Sequence, residues 1–172
     1  MNRPPLPVIF GALVVIALGE TGGAAMSRFR PEIERYAAVR VTANAQAHGL
    51  TGSPEYDDEV RDRAVWSVEA GLSFFHTHAE GVGLIVFFAS TLVASLVPWR
   101  RARTALYLAL LAGALFPIGY LVYGATVLAA GRDAGIELAE RWVLTPLGTA
   151  AIVGLLGLAV ALALLGTRDP LE

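Results

Sequence analysis

The chain contains no cysteine and no lysine, and it has only 3 histidines among its 172 residues. Without cysteine, disulfides, thiolate metal sites and cysteine nucleophiles are excluded. All 13 basic residues are arginine, a bias that we attribute to a GC-rich bacterial genome. The formal net charge is -2, and the one basic cluster, at residues 99–103, is short. The sequence therefore gives no reason to expect nucleic-acid binding.

Charged residues make up only 16% of the chain, whereas hydrophobic residues make up 55%. A soluble domain is typically about one quarter charged. The apolar residues fall into four clusters, each long enough to supply the ~20 residues that a membrane-spanning helix needs. The predicted spans cover about residues 6–26, 65–97, 105–130 and 142–166, with a polar, helical loop at 27–64. The sequence thus predicts an all-α, polytopic membrane protein: a single domain, residues 1–172, with four transmembrane helices in a bundle.

Prolines indicate where these helices begin and bend. The sequence 53–55, Ser-Pro-Glu, is typical of a helix start, and no breaker follows before Pro98. One helix is therefore expected to run from the polar loop into the second span. Pro117 cannot donate a backbone hydrogen bond, so it is predicted to kink the third span. A short polar connector at 131–141 is expected before the last span.

Four spans place both ends of the chain on one side of the membrane. The loop at 99–103 is short and carries three arginines and no acid. The positive-inside rule therefore predicts cytoplasmic termini in a bacterial cytoplasmic membrane, although the opposite face carries more arginines in total. A cleaved signal peptide is an alternative interpretation of the first segment, into which Glu20 fits poorly.

The motif H-x-H-x-E, formed by His76, His78 and Glu80, lies at the start of the second apolar run. The charge-free stretch after it, residues 81–97, covers about 25 Å as a helix. The motif is therefore expected near one membrane interface, and Glu20 ends the first span at a similar depth. Ionisable groups at such a depth are costly and usually paired or functional.

Helical geometry separates the two histidines. His76 and Glu80 share a face, whereas His78 lies about 200° away around the helix. A metal site is therefore expected to combine His76, Glu80 and Glu20, whose imidazole and carboxylate groups suit copper, iron or zinc. A haem b held by one of these histidines is a second interpretation. The main candidate ligands are therefore His76, His78, Glu80 and Glu20. Additional candidate ligands are His48, Glu69, Tyr120 and Tyr123.

The sequence therefore predicts a membrane protein that binds a metal ion or haem b through a His/Glu cluster. We expect an accessory or electron-transfer component of a larger redox or metal-handling complex, and not an enzyme on its own. Its expected partners are the lipid bilayer and other membrane subunits or a second copy of the chain. Two alternatives stay open: a structural or assembly subunit whose His and Glu only pair with each other, and a proton- or ion-conducting helper that uses Glu20 and Glu80.

Overall fold

The computed structural model describes residues 3–166, and throughout this range the regular secondary structure is helical, without a strand. In chain order the helices are α1 (Leu6–Ala43), α2 (Ala45–His48), α3 (Pro54–Leu96), α4 (Arg100–Ala114), α5 (Ile118–Ala130), α6 (Arg132–Ala139) and α7 (Thr145–Gly166). Four segments, α1, α3, α4–α5 and α6–α7, are long and apolar enough to cross a membrane. The predicted all-α bundle is confirmed, and the chain is a multi-pass membrane protein. Cytoplasmic termini stay a prediction, and the outermost residues lie outside the described range.

The predicted polar loop is built largely from extensions of the first two spans. α3 runs from Pro54 to Leu96, so the uninterrupted helix expected there is confirmed. α1 continues past the predicted end of the first span and reaches Ala43, with a break at Phe29, where φ is -117° and ψ is 21°. Pro31 lies two residues after this break. A proline ring clashes with the preceding turn of a helix, which explains the bend in α1 at this point.

Pro117 divides the third segment into α4 and α5, so the predicted kink is confirmed. The bend is closed by tight turns, such as the hydrogen bond from the Phe116 N–H to the Gly113 carbonyl at 3.0 Å. The region 131–141 is not an irregular connector. It forms α6, and a π-helical turn at Glu140–Leu144 then leads directly into α7.

Buried apolar residues form two clusters. The larger one fills the space between the apolar parts of α1, α3, α4 and α7, around residues such as Ala12, Val86, Val93, Leu110 and Leu158. The smaller one joins the polar ends of α1 and α3 to α5, through Ala37, Val41, Ala64, Val127 and Leu128. This second core cluster fixes α1 beyond its break, so both ends of the α1–α3 pair are held in place.

Small residues bring the helices close together. A Cβ atom built on Gly19 of α1 would lie 2.6 Å from the Cβ atom of Ala79 on α3. On α7, a Cβ atom built on Gly154 would lie 3.2 Å from Leu110, and one on Gly157 would lie 3.1 Å from Leu106 of α4. Such residues allow membrane helices to pack with their backbones in near contact.

Asp57 closes the turn between α2 and α3, and we predict that this contact stabilises the fold. Asp57 is only 6% exposed, and its carboxylate accepts hydrogen bonds from the backbone N–H groups of Thr51, at 2.8 Å, and Gly52, at 2.9 Å. Asp57→Ala leaves both donors without this partner, so the free energy of unfolding should fall by about 1–3 kcal/mol. The matched control is Asp58→Ala, because the Asp58 side chain is 70% exposed. Thermal unfolding that is equal in the two variants would contradict this expectation.

Candidate metal centre

His76 faces α1 and is held there by two acceptors. Its Nδ1 lies 3.1 Å from the carbonyl oxygen of Gly19 and 2.9 Å from Oε1 of Glu80. Because both neighbours accept hydrogen bonds, we assign the proton of the neutral ring to Nδ1. The Nδ1 proton of His76 therefore lies beside the Glu80 carboxylate and faces the backbone of α1.

Gly23 makes room for the His76 ring. A Cβ atom built on Gly23 would lie 2.7 Å from both Nδ1 and Cε1 of that ring. Gly23 follows Gly19 by one helical turn, so its missing side chain leaves the Gly19 carbonyl accessible to a donor from α3. Neither glycine is among the site residues predicted from the sequence, although their G-x-x-x-G spacing is a known signal of close packing between membrane helices.

Glu20 adds a second carboxylate to this contact. One ligand atom from each of Glu20, His76 and Glu80 lies within 4.8 Å of the other two. His76 and Glu80 share a face of α3, and Glu20 follows directly after Gly19, the α1 residue that accepts from His76. The structure therefore brings together three of the predicted residues from two helices, as one imidazole and two carboxylates. We call this set the Glu20–His76–Glu80 cluster.

His78 points away from the Glu20–His76–Glu80 cluster. Its Nδ1–H donates to the carbonyl of Phe74 at 2.8 Å. The ring packs against Tyr120, with 4.9 Å between centroids, and against Phe116, with 5.8 Å between centroids. His78 therefore belongs to a group of rings at the bend before α5. This position agrees with the sequence prediction, because residues two apart on an α-helix are rotated by about 200°.

The two tyrosines and His48 also lie outside the cluster. Tyr120 packs on the His78 ring, and Tyr123 packs against the second core cluster. His48 donates from Nε2 to the carbonyl of Leu128 at 3.2 Å. These side chains hold α5 against α2 and α3, and none of them is within the group of three ligand atoms.

Glu69 lies two helical turns from His76 on the same face of α3. Its Oε1 accepts a hydrogen bond from Nε of Arg30 on α1 at 2.7 Å. The same Arg30 nitrogen lies 3.0 Å from Oε1 of Glu34. Glu69 is thus part of an ion pair that links α1 to α3, and it does not join the cluster.

The fold and this site define a class: a multi-pass helical membrane protein with a His/Glu cluster between its first two spans. Comparison of the chain with protein-family models, with curated proteins and with solved structures found no match. Functional inference therefore starts from the chemistry of the clustered residues.

Proposed function

We propose that this membrane protein binds a divalent metal ion through Glu20, His76 and Glu80. The observation that carries the proposal is the convergence of three ligand atoms from two helices within 4.8 Å of one another. Imidazole and carboxylate ligands suit zinc, iron or copper(II), and the chain has no cysteine to form a soft thiolate site. Three protein ligands leave coordination positions open for water or for a group from a partner.

The charges of the cluster support a bound cation. Two carboxylates lie at the polar end of an apolar span, where charge without a counterion is costly. A divalent ion between Glu20 and Glu80 compensates both charges at once. His76 can join the two carboxylates through Nδ1, which lies 2.9 Å from Oε1 of Glu80, because a bound cation would take the place of the proton between these two atoms.

The geometry favours a metal ion over haem b. His76 lies against Gly23 with two carboxylates beside it, whereas an axial histidine faces the apolar plane of a porphyrin. If His78 were an axial ligand, the haem would have to displace the Phe116 and Tyr120 rings that pack on the His78 ring. The proposed cofactor is therefore a single metal ion.

The proposed role is a metal-handling or electron-transfer component of a larger complex in a bacterial cytoplasmic membrane. All three ionisable groups at the site act as ligands in this proposal, so no separate acid, base or nucleophile is assigned beside the metal. A binding role, with chemistry supplied by a partner subunit or by a second copy of the chain, fits this set of groups better than independent catalysis does.

Metal analysis and an absorption spectrum of the detergent-purified protein test the proposal. We expect near-stoichiometric metal in the wild-type protein and its loss in the double variant Glu20→Gln/Glu80→Gln, because glutamine keeps the shape but removes the anionic ligands. The matched control is Glu32→Gln/Glu137→Gln, which removes two exposed carboxylates elsewhere. A well-folded wild-type protein without metal would contradict the proposal and favour a structural subunit. A Soret band that His76→Ala removes would replace the metal ion by haem b.

A further inference from the structure

A cavity lies in the groove between α1 and α3, one turn beyond the cluster. It has a volume of about 400 Å³, and the hydroxyl-bearing residues Ser27 and Ser73 are part of its lining. Ser73 precedes His76 by three positions, and Ser27 follows Gly23 by four, so both lie about one helical turn from the contact between Gly23 and the His76 ring. The lining of the cavity therefore ends about one helical turn from the cluster.

An ion pair forms the outer boundary of this cavity. Arg30 and Glu69 both line it, and they are joined by hydrogen bonds of 2.7 Å from Nε and 3.4 Å from Nη2 of the guanidinium. The Arg30 side chain is 64% exposed and the Glu69 side chain only 22% exposed. The guanidinium thus lies on the more exposed side of the pair, and the carboxylate lies on the more buried side. The break in α1 at Phe29 lies directly before Arg30.

We propose that this cavity is the route by which a divalent cation reaches the Glu20–His76–Glu80 cluster, and that the Arg30–Glu69 ion pair controls the rate of its passage. The inference rests on the proposed metal binding. In the other direction, residues 81–97 of the chain carry no charge, so they offer a hydrated ion no comparable path. Along the cavity, hydroxyl and carboxylate oxygens can replace part of the ion's hydration shell.

The two partners of the ion pair have opposite effects on an entering cation. Arg30 places a positive charge at the mouth and neutralises Glu69, so its removal exposes an attractive carboxylate. Removal of the Glu69 carboxylate leaves Arg30 paired with Glu34 alone, and the mouth becomes more positive. Local charge of this kind changes association rates. Occupancy at equilibrium depends on the three ligands and should stay the same.

Rapid mixing of the full-length, purified protein with Zn²⁺, followed by mixing with a chelator, measures entry and exit. We expect Arg30→Gln to accelerate entry by about threefold or more and Glu69→Gln to slow it by a similar factor. The controls Arg28→Gln and Glu32→Gln change the same charges on neighbouring positions of α1. Arg28 packs on the Phe29 ring and Glu32 lines a different, apolar cavity, so neither control should change the rates.

The absence of native cysteine allows a second measurement that does not depend on metal. Ser73→Cys introduces the sole thiol of the chain into the cavity wall. A water-soluble, cationic methanethiosulfonate should modify this thiol, and the modification should proceed faster when Arg30→Gln is also present. In protein that is modified first, Zn²⁺ entry should be blocked.

The outcomes separate this inference from the proposed function. A wild-type protein that binds no Zn²⁺ at equilibrium overturns the proposed function, and the inference with it. Normal Zn²⁺ stoichiometry with entry rates that respond to neither Arg30→Gln nor Glu69→Gln overturns the route alone. A Ser73→Cys thiol that does not react from the aqueous phase also overturns the route alone.

Discussion

His76→Ala will weaken zinc binding by about 100-fold or more, whereas His78→Ala will change it by less than about threefold. Loss of a residue that only supports a metal ligand already lowers metal affinity by about 10–100-fold, so loss of the ligand itself should cost at least as much. The two histidines are separated by one residue, so the variants are matched in chemistry and in depth along α3. Only His76 lies with Glu20 and Glu80, since the His78 ring packs among other rings on a different side of the helix. The contrast between the variants therefore tests the geometry of the site and not histidine content.

A titration of each variant with Zn²⁺ against a chelator of known affinity measures this contrast. Circular dichroism confirms that each variant keeps its helices, which separates loss of a ligand from loss of the fold. Equal weakening by His76→Ala and His78→Ala would show that the metal binds outside the cluster. Unchanged binding in both variants would remove histidine from the site altogether.

Gly19→Ala and Gly81→Ala will change stability in opposite directions, although both replace a helical glycine by alanine. At Gly19 the new Cβ atom would lie 2.6 Å from that of Ala79 and 3.3 Å from the His76 carbonyl oxygen, so α1 and α3 must separate. Overpacking of this kind costs about 1–3 kcal/mol. At Gly81 nothing lies within 4 Å of the new atom, and alanine should stabilise the helix by about 0.5–1 kcal/mol.

Denaturant unfolding of the detergent-solubilised variants, followed by circular dichroism, measures both changes. Gly19→Ala should also weaken zinc binding, because the carbonyl that orients His76 moves away together with Glu20. Gly81→Ala should leave zinc binding unchanged. Stability changes of the same sign in the two variants would contradict the close contact between α1 and α3.

The spans could be predicted because the signal is local. Each span contains a long apolar run, and a bilayer requires a run of this length whatever the neighbouring helices are. The positions of Pro54 and Pro117 likewise act within a single turn, so the start of α3 and the bend before α5 follow from the sequence. The angle between His76 and His78 is also a property of one helix.

The polar regions were harder to predict because their structure depends on packing. The extension of α1 to Ala43 is held by Ala37 and Val41, which pack against Val127 of α5. The helical region 131–141 depends in the same way on close contact, with Gly135 of α6 packed against the backbone of α5 at Thr126. These partners lie on other helices, so local polarity indicates exposure but not helix continuation.

The sequence by itself determined that this chain crosses a membrane with four helical segments, and that His76 and Glu80 share one face near one end of a span. It also indicated Glu20 as a third residue at similar depth. Only the tertiary structure showed that one ligand atom from each of Glu20, His76 and Glu80 lies within 4.8 Å of the other two. The physical reason is that the rotation of α1 against α3 depends on packing between the two helices, where the missing side chains of Gly19 and Gly23 allow close contact.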